Sequence, residues 1–176
     1  MPDRKARGFT VIELMITIAV LAVILTVAVP SFGRFVEQQK LTATANHLVT
    51  HLQFARSQAI SHNTLVAACP SNDGLTCTGG NRWEDGWIVY LDPEKAGQPD
   101  QPEDVLRVVQ GNPELDMHSG GRYRVRFKGS GVAYGTNLTI RVCSRGNPEA
   151  ARAVIVSNPG RVRATRDVDP GECGGD

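Results

Sequence analysis

The side chains with the most evident chemistry are arginines. Gly160-Arg161-Val162-Arg163 sets two guanidinium groups two residues apart behind a glycine, and Arg122, Arg124, Arg126 and Lys128 repeat that spacing around Tyr123, Val125 and Phe127. Extended residues i and i+2 face the same side, so each set makes a row of positive charge. Residues 122–166, which also hold Arg141, Arg145, Arg152 and Arg166, carry ten basic side chains and one acid, Glu149. Residues 84–116 reverse the balance, with nine acids against Lys95 and Arg107. The formal net charge of +1 therefore hides a polarised chain. Such polarity points to a polyanion-binding surface, and guanidinium forks suit phosphate oxygens, contacts that carry affinity without reading sequence. The competing expectation is a solvated face whose arginines pair in part with the acidic segment. Gly160 permits a tight turn, which places Arg161 and Arg163 at a loop tip.

Other chemistries find less support. His47, His51 and His62 have no acidic or cysteine partner at ligand spacing, so they are expected to be solvated or at a helix end, and no metal or other cofactor is expected. Asp92 to Asp104 reads as an exposed acidic loop without the EF-hand spacing for calcium. No nucleophile elbow, metal-binding motif or phosphate loop is present, and the chain reads as a non-enzyme. Trp83 and Trp87 could stack on bases, yet each is more simply a core or interface aromatic. Cys69, Cys77, Cys143 and Cys173 are even in number and contain no CxxC pair, which favours bridges in an oxidising compartment. Four cysteines allow three connectivities. We favour Cys69 with Cys77, across a glycine-rich turn, and Cys143 with Cys173, which would tether the C-terminal tail and hold the segment bearing Arg161 and Arg163 against the sheet.

These groups must be positioned by a chain of 176 residues, enough for one globular domain and an appendage. Residues 1–8 hold Arg4, Lys5 and Arg7 against Asp3, and the run from Phe9 to Val29 contains a single charge, Glu13. As a helix this run is about 32 Å long, sufficient for a hydrocarbon core of about 30 Å. The basic flank should stay cytoplasmic, which sends the rest of the chain across. A charge inside such a span is costly, so Glu13 requires a partner. Residues 30–62 continue as an amphipathic helix whose face of Leu41, Ala45, Leu48, Leu52, Ala55 and Ala59 should pack on a sheet. Lys40, Asn46, His47, Gln53 and Arg56 take its other face. Residues 63–176 read as a β-rich head with strands at Thr64–Ala68, Trp87–Leu91, Val105–Val109, Tyr123–Phe127, Leu138–Val142 and Ala153–Val156. The fold class is α+β: a long N-terminal helix packed on an antiparallel β head.

Arg7-Gly8-Phe9-Thr10-Val11-Ile12-Glu13-Leu14 resembles the type III signal of type IV pilins and pseudopilins. The resemblance implies that prepilin peptidase cuts after Gly8, that Phe9 becomes the N-methylated first residue, and that Glu13 meets the N-terminal amine of a neighbouring subunit during fibre assembly. Pro30 matches the family's helix-kinking proline. The Gly86-Trp87 strand, the acidic loop and the ending Asn158-Pro159-Gly160-Arg161-Val162-Arg163 are similar to the FimT/GspH group. Its FimT branch is associated with DNA uptake in natural transformation, through a Gly-Arg-x-Arg motif near the C-terminus. By that resemblance the chain is an inner-membrane, single-pass protein with a periplasmic head that joins other pilins of a fibre. It would bind DNA through Gly160, Arg161 and Arg163, helped by some of Arg122, Arg124, Arg126, Lys128, Arg152 and Arg166. The alternative within the group is a pseudopilin of a type II secretion system.

Overall fold

The computed structural model describes residues 9–147 and 149–173, so Gly8, on the leader side of the expected cut, lies outside the described residues. One helix, α1, runs from Val11 to His62 with Pro30 inside it. Its start is a reciprocal cap. Thr10 Oγ1 accepts the Glu13 amide hydrogen bond at 3.3 Å, while the Thr10 amide and hydroxyl both donate to Glu13 Oε2 at 2.9 Å. This Thr-x-x-Glu box satisfies donors that every helix N-terminus leaves open.

The chain divides into two compact units, residues 1–38 and 39–176. The first consists, among its described residues, of α1 with exposed apolar side chains such as Ile12, Leu14, Ile16, Leu21 and Ile24. The helix is long and apolar enough there to cross a membrane. The second unit begins within α1, so residues 39–62 belong to the head and supply its central helix.

Two four-stranded antiparallel sheets complete the head. The first has the order β3-β2-β1-β5, built from β1 (Val66–Pro70), β2 (Gly86–Leu91), β3 (Val105–Gln110) and β5 (Val125–Phe127). The second has the order β4-β6-β7-β8, built from β4 (Leu115–Ser119), β6 (Leu138–Ser144), β7 (Ala151–Val156) and β8 (Val162–Thr165). Leu41, Ala45, Leu48, Leu52, Ala55 and Ala59 of α1 are at most 1 % exposed and share one apolar cluster with the inner residues of both sheets. Trp83 and Trp87 lie fully inside that cluster, which removes them as stacking platforms.

Both disulfides form, Cys69 with Cys77 and Cys143 with Cys173. The second secures the tail after β8, where Arg141 also pairs with Glu172 at 2.7 Å. Arg163 is held differently from the expectation. It lies in β8, which is fixed by its ladder to β7 rather than by the bridge.

Candidate functional site

The turn between β7 and β8 carries the Gly-Arg-Val-Arg segment. The ladder ends at Val156 opposite Val162, and Ser157 then donates its amide to the Arg161 carbonyl at 3.0 Å while Gly160 donates to the Ser157 carbonyl at 2.8 Å. Gly160 has φ +80°, and a Cβ there would meet the Gly131 carbonyl oxygen at 1.9 Å. Glycine is thus required twice over, by a left-handed backbone and by the close approach of the turn around Gly131. That second turn is closed by Gly131 donating to the Lys128 carbonyl at 2.7 Å, and Ala133 donates to the Asn158 carbonyl at 2.9 Å. The two turns brace each other.

Arg161 and Arg163 are exposed on either side of buried Val162, as strand alternation requires. Only Arg161 sits on the turn, since Arg163 belongs to the edge strand opposite Ile155. The expectation of a loop tip for both is corrected: four residues of β pairing extend the β7 ladder through the second arginine. Neither makes an ion pair among the described residues. On the outer face of the second sheet an open depression of about 630 Å³ is lined by Arg122, Asn137, Thr139, Arg141, Ile155 and the turn residues Ser157 to Pro159. Arg122 donates to the Asn137 carbonyl at 3.0 Å and stays exposed.

A second depression, about 480 Å³, lies between α1 and the turn and is lined by Gln53, Arg56, Ser57, Ile60, Arg161 and Val162. Arg56 therefore joins Arg161 at the surface, which the helix-face reading of the sequence missed. Its Nε is sealed from solvent without a hydrogen-bond partner among the described residues. The signal was its place directly beside Ala55 at the margin of the apolar stripe.

The row from Arg122 to Lys128 does not form one charged face. Only Val125–Phe127 is strand, in the first sheet. Arg126 Nε lies 2.5 Å from Oδ2 of Asp92, whose side chain is fully buried. Arg124 stacks on the Tyr123 ring, 4.6 Å from its centroid, donates to the Tyr123 hydroxyl, and leaves no room for a side chain at Gly97. Neither is free to hold phosphate. Arg122 and Lys128 are exposed at the ends of the row. Asp92, expected in an exposed loop, is instead its buried anchor, and it also accepts the Gly97 amide at 3.0 Å.

Arg152 is buried as well, on the inner face of β7, with Arg166 exposed nearby. Burial first, and then the Arg166 charge, pull its pKa below the usual arginine value. His51 departs from the solvated expectation too, being 8 % exposed beside Trp87, with its Nε2 3.0 Å from His47 Nε2 and its Nδ1 3.4 Å from Arg107 Nη1.

Comparison with known proteins fits this architecture. Residues 44–160 match the family described as type II transport protein GspH, and residues 3–29 match the prokaryotic N-terminal methylation motif. The type IV minor pilin FimU of Pseudomonas aeruginosa (strain PAO1) is similar in fold in two crystal forms. One gives a TM-score of 0.60 at 22 % identity over 74 % of this chain and 92 % of FimU. The other gives 0.57 at 22 % identity over 71 % and 92 %. The methylation motif implies processing by prepilin peptidase, assembly with other pilins and membrane anchoring of the head. With both ends of the pilin plan present, a methylation-motif helix and a two-sheet head built on it, the chain belongs to the GspH family of type IV pilin-like proteins, the minor pilins and pseudopilins.

Proposed function

We propose that this chain is a minor type IV pilin that binds DNA without sequence preference during uptake, with Arg161 and Arg163 as its principal contacts. The observation that carries the reading is that both guanidinium groups are exposed at a braced turn and edge strand, with no ion-pair partner among the described residues. An arginine retained only for stability would gain from such a partner. Arg122, across the outer depression, and Arg56, beside Arg161, extend the basic surface. Gly160 shapes the turn and its close approach to Gly131 and is not itself a DNA contact. Arg124 and Arg126 drop out of the contact set because their side chains are engaged within the head. Lys128 and Arg166 stay in it as exposed flanks.

Cleavage after Gly8, methylation at Phe9 and a role for Glu13 in assembly belong to the same proposal, as do an inner-membrane anchor and a place in a pilus. The chain works by binding and assembly, with no catalytic step. The alternative is a type II secretion pseudopilin, favoured by the match of residues 44–160 to type II transport protein GspH. That match stops at Gly160, one residue before the arginine pair, so it is silent on the feature that separates the readings. A mobility shift of the full chain in detergent micelles with random-sequence duplex DNA tests the proposal. Binding that weakens steeply with salt supports it, whereas absence of a shift at low salt favours the secretion role.

A further inference from the structure

Strand β7 turns Arg152, Val154 and Val156 toward the core, and in register Arg152 stands opposite Val142 of β6. A valine or leucine would suit position 152 on that face. Instead a guanidinium is buried there, 9 % exposed. Buried charges are normally paired. No carboxylate lies within ion-pair distance of Arg152 among the described residues, and the charge nearest in influence is a second cation, Arg166. Among the described residues Arg152 donates from Nη1 to the Ala151 carbonyl at 2.8 Å and from Nη2 to Thr42 Oγ1 at 3.4 Å. A guanidinium has five N–H donors. None of the Arg152 nitrogens is both sealed from solvent and unpartnered. Its remaining accessible surface opens into a notch of about 200 Å³ between α1 and β8, lined also by Thr42, Asn46, Thr165 and Arg166.

We propose that this notch is an oxyanion site, in which Arg152 from below and Arg166 from the rim hold one phosphate group. Two cations in a notch walled by Ala45 and Ala164 as well as by polar side chains, with no acid among its lining residues, balance the charge that a phosphate brings, and the planar fork supplies paired donors. The notch lies on the α1 and β8 seam, the seam that carries Arg56 and Arg161 further along. The phosphate it takes is therefore a backbone diester of bound DNA. That last identification rests on the reading under Proposed function, while the oxyanion site rests on the notch alone.

Phosphorus NMR line broadening of inorganic phosphate, titrated with the full chain in maltoside micelles at constant ionic strength, tests the site. Arg152→Met keeps the stem and removes the fork. It is expected to weaken phosphate binding by about tenfold or more, and Arg166→Gln, at an exposed position, by about threefold. Lys95→Gln, an exposed cation on the acidic segment, should stay within about twofold of the parent, since it leaves the notch intact. Failure of the parent to broaden the signal overturns the proposal, as does an Arg152→Met or Arg166→Gln protein that binds like the parent. A random-sequence duplex should displace the phosphate. Phosphate that is held but not displaced overturns DNA as the carrier and leaves the oxyanion site standing. DNA binding in the mobility shift without phosphate binding sinks the notch and spares the DNA reading.

Discussion

Arg126 Nε sits 2.5 Å from Asp92 Oδ2, and the same arginine donates from Nη2 to the Lys95 carbonyl at 3.1 Å. One strand of the basic segment is thereby joined to the acidic one. Asp92 is fully buried and Arg126 is 21 % exposed at its side chain, so removing either partner strands a charge in a dry place. Asp92→Asn or Arg126→Gln should each cost about 3 kcal/mol in urea unfolding, and the double variant should cost less than the two singles combined. DNA affinity of the folded Arg126→Gln protein should match the parent.

Gly160 is predicted to be a structural residue rather than a contact. Gly160→Ala forces a side chain into the left-handed region and against the Gly131 carbonyl. A loss of about 2 kcal/mol or more is expected, read as a fall in Tm of about 6 °C. Arg161→Gln and Arg163→Gln, at exposed positions, should leave Tm unchanged within about 1 °C. A Gly160→Ala protein as stable as the parent would contradict the bracing of the two turns.

His51 gives the head a pH dependence. Burial first, then the charges of His47 and Arg107, lower its pKa from 6.5 to about 4. The unfolded chain takes up a proton near pH 6.5 that the folded head refuses until about 4. Stability from this group is therefore full at pH 7 and declines as pH falls from about 6.5 to about 4. Replacing His51 by Asn should flatten that part of the stability profile measured by denaturant unfolding. An unchanged slope would show that the ring is not held neutral.

Among the described residues Glu13 is bound by Thr10, through a cap at the start of α1. Glu13→Val should leave the head folded and the protein in the membrane, because it removes a charge from an apolar span. Recovery of the variant in sheared fibres should fall to background. Normal recovery would remove Glu13 from assembly.

Most of the scaffold was legible because its periodicities are local. The step of three and four from Leu41 to Ala59 marked the buried face of α1, and runs such as Trp87–Leu91 marked strands. Two strands escaped. In β4 the alternation of Leu115 and Met117 with Asp116 and His118 holds only two large apolar residues beside Pro113, while β8 offers one buried apolar residue, Val162. The exposure of Arg161 and Arg163 was legible, because their alternation around Val162 is contiguous in sequence. The surroundings of Arg124, Arg126 and Arg152 were not legible, because sequence spacing gives the face a side chain takes in a strand but not what lies across from it. Asp92, Gly97 and Thr42 come from distant segments. Arg56 was missed for the same reason.

The measurement that bears most directly on the account is the affinity of the full chain for a random-sequence duplex over a range of salt concentrations, parent against Arg161→Gln/Arg163→Gln. The parent should bind with Kd of roughly 10⁻⁴ to 10⁻⁶ M, with log K falling steeply against log salt. The double variant should bind at least about tenfold more weakly at low salt, with a slope shallower by about 2, the loss of two phosphate contacts. Glu103→Gln, on the acidic segment, should bind no more weakly than the parent. A double variant that matches the parent in affinity and slope would contradict the DNA reading and leave the secretion pseudopilin as the better description.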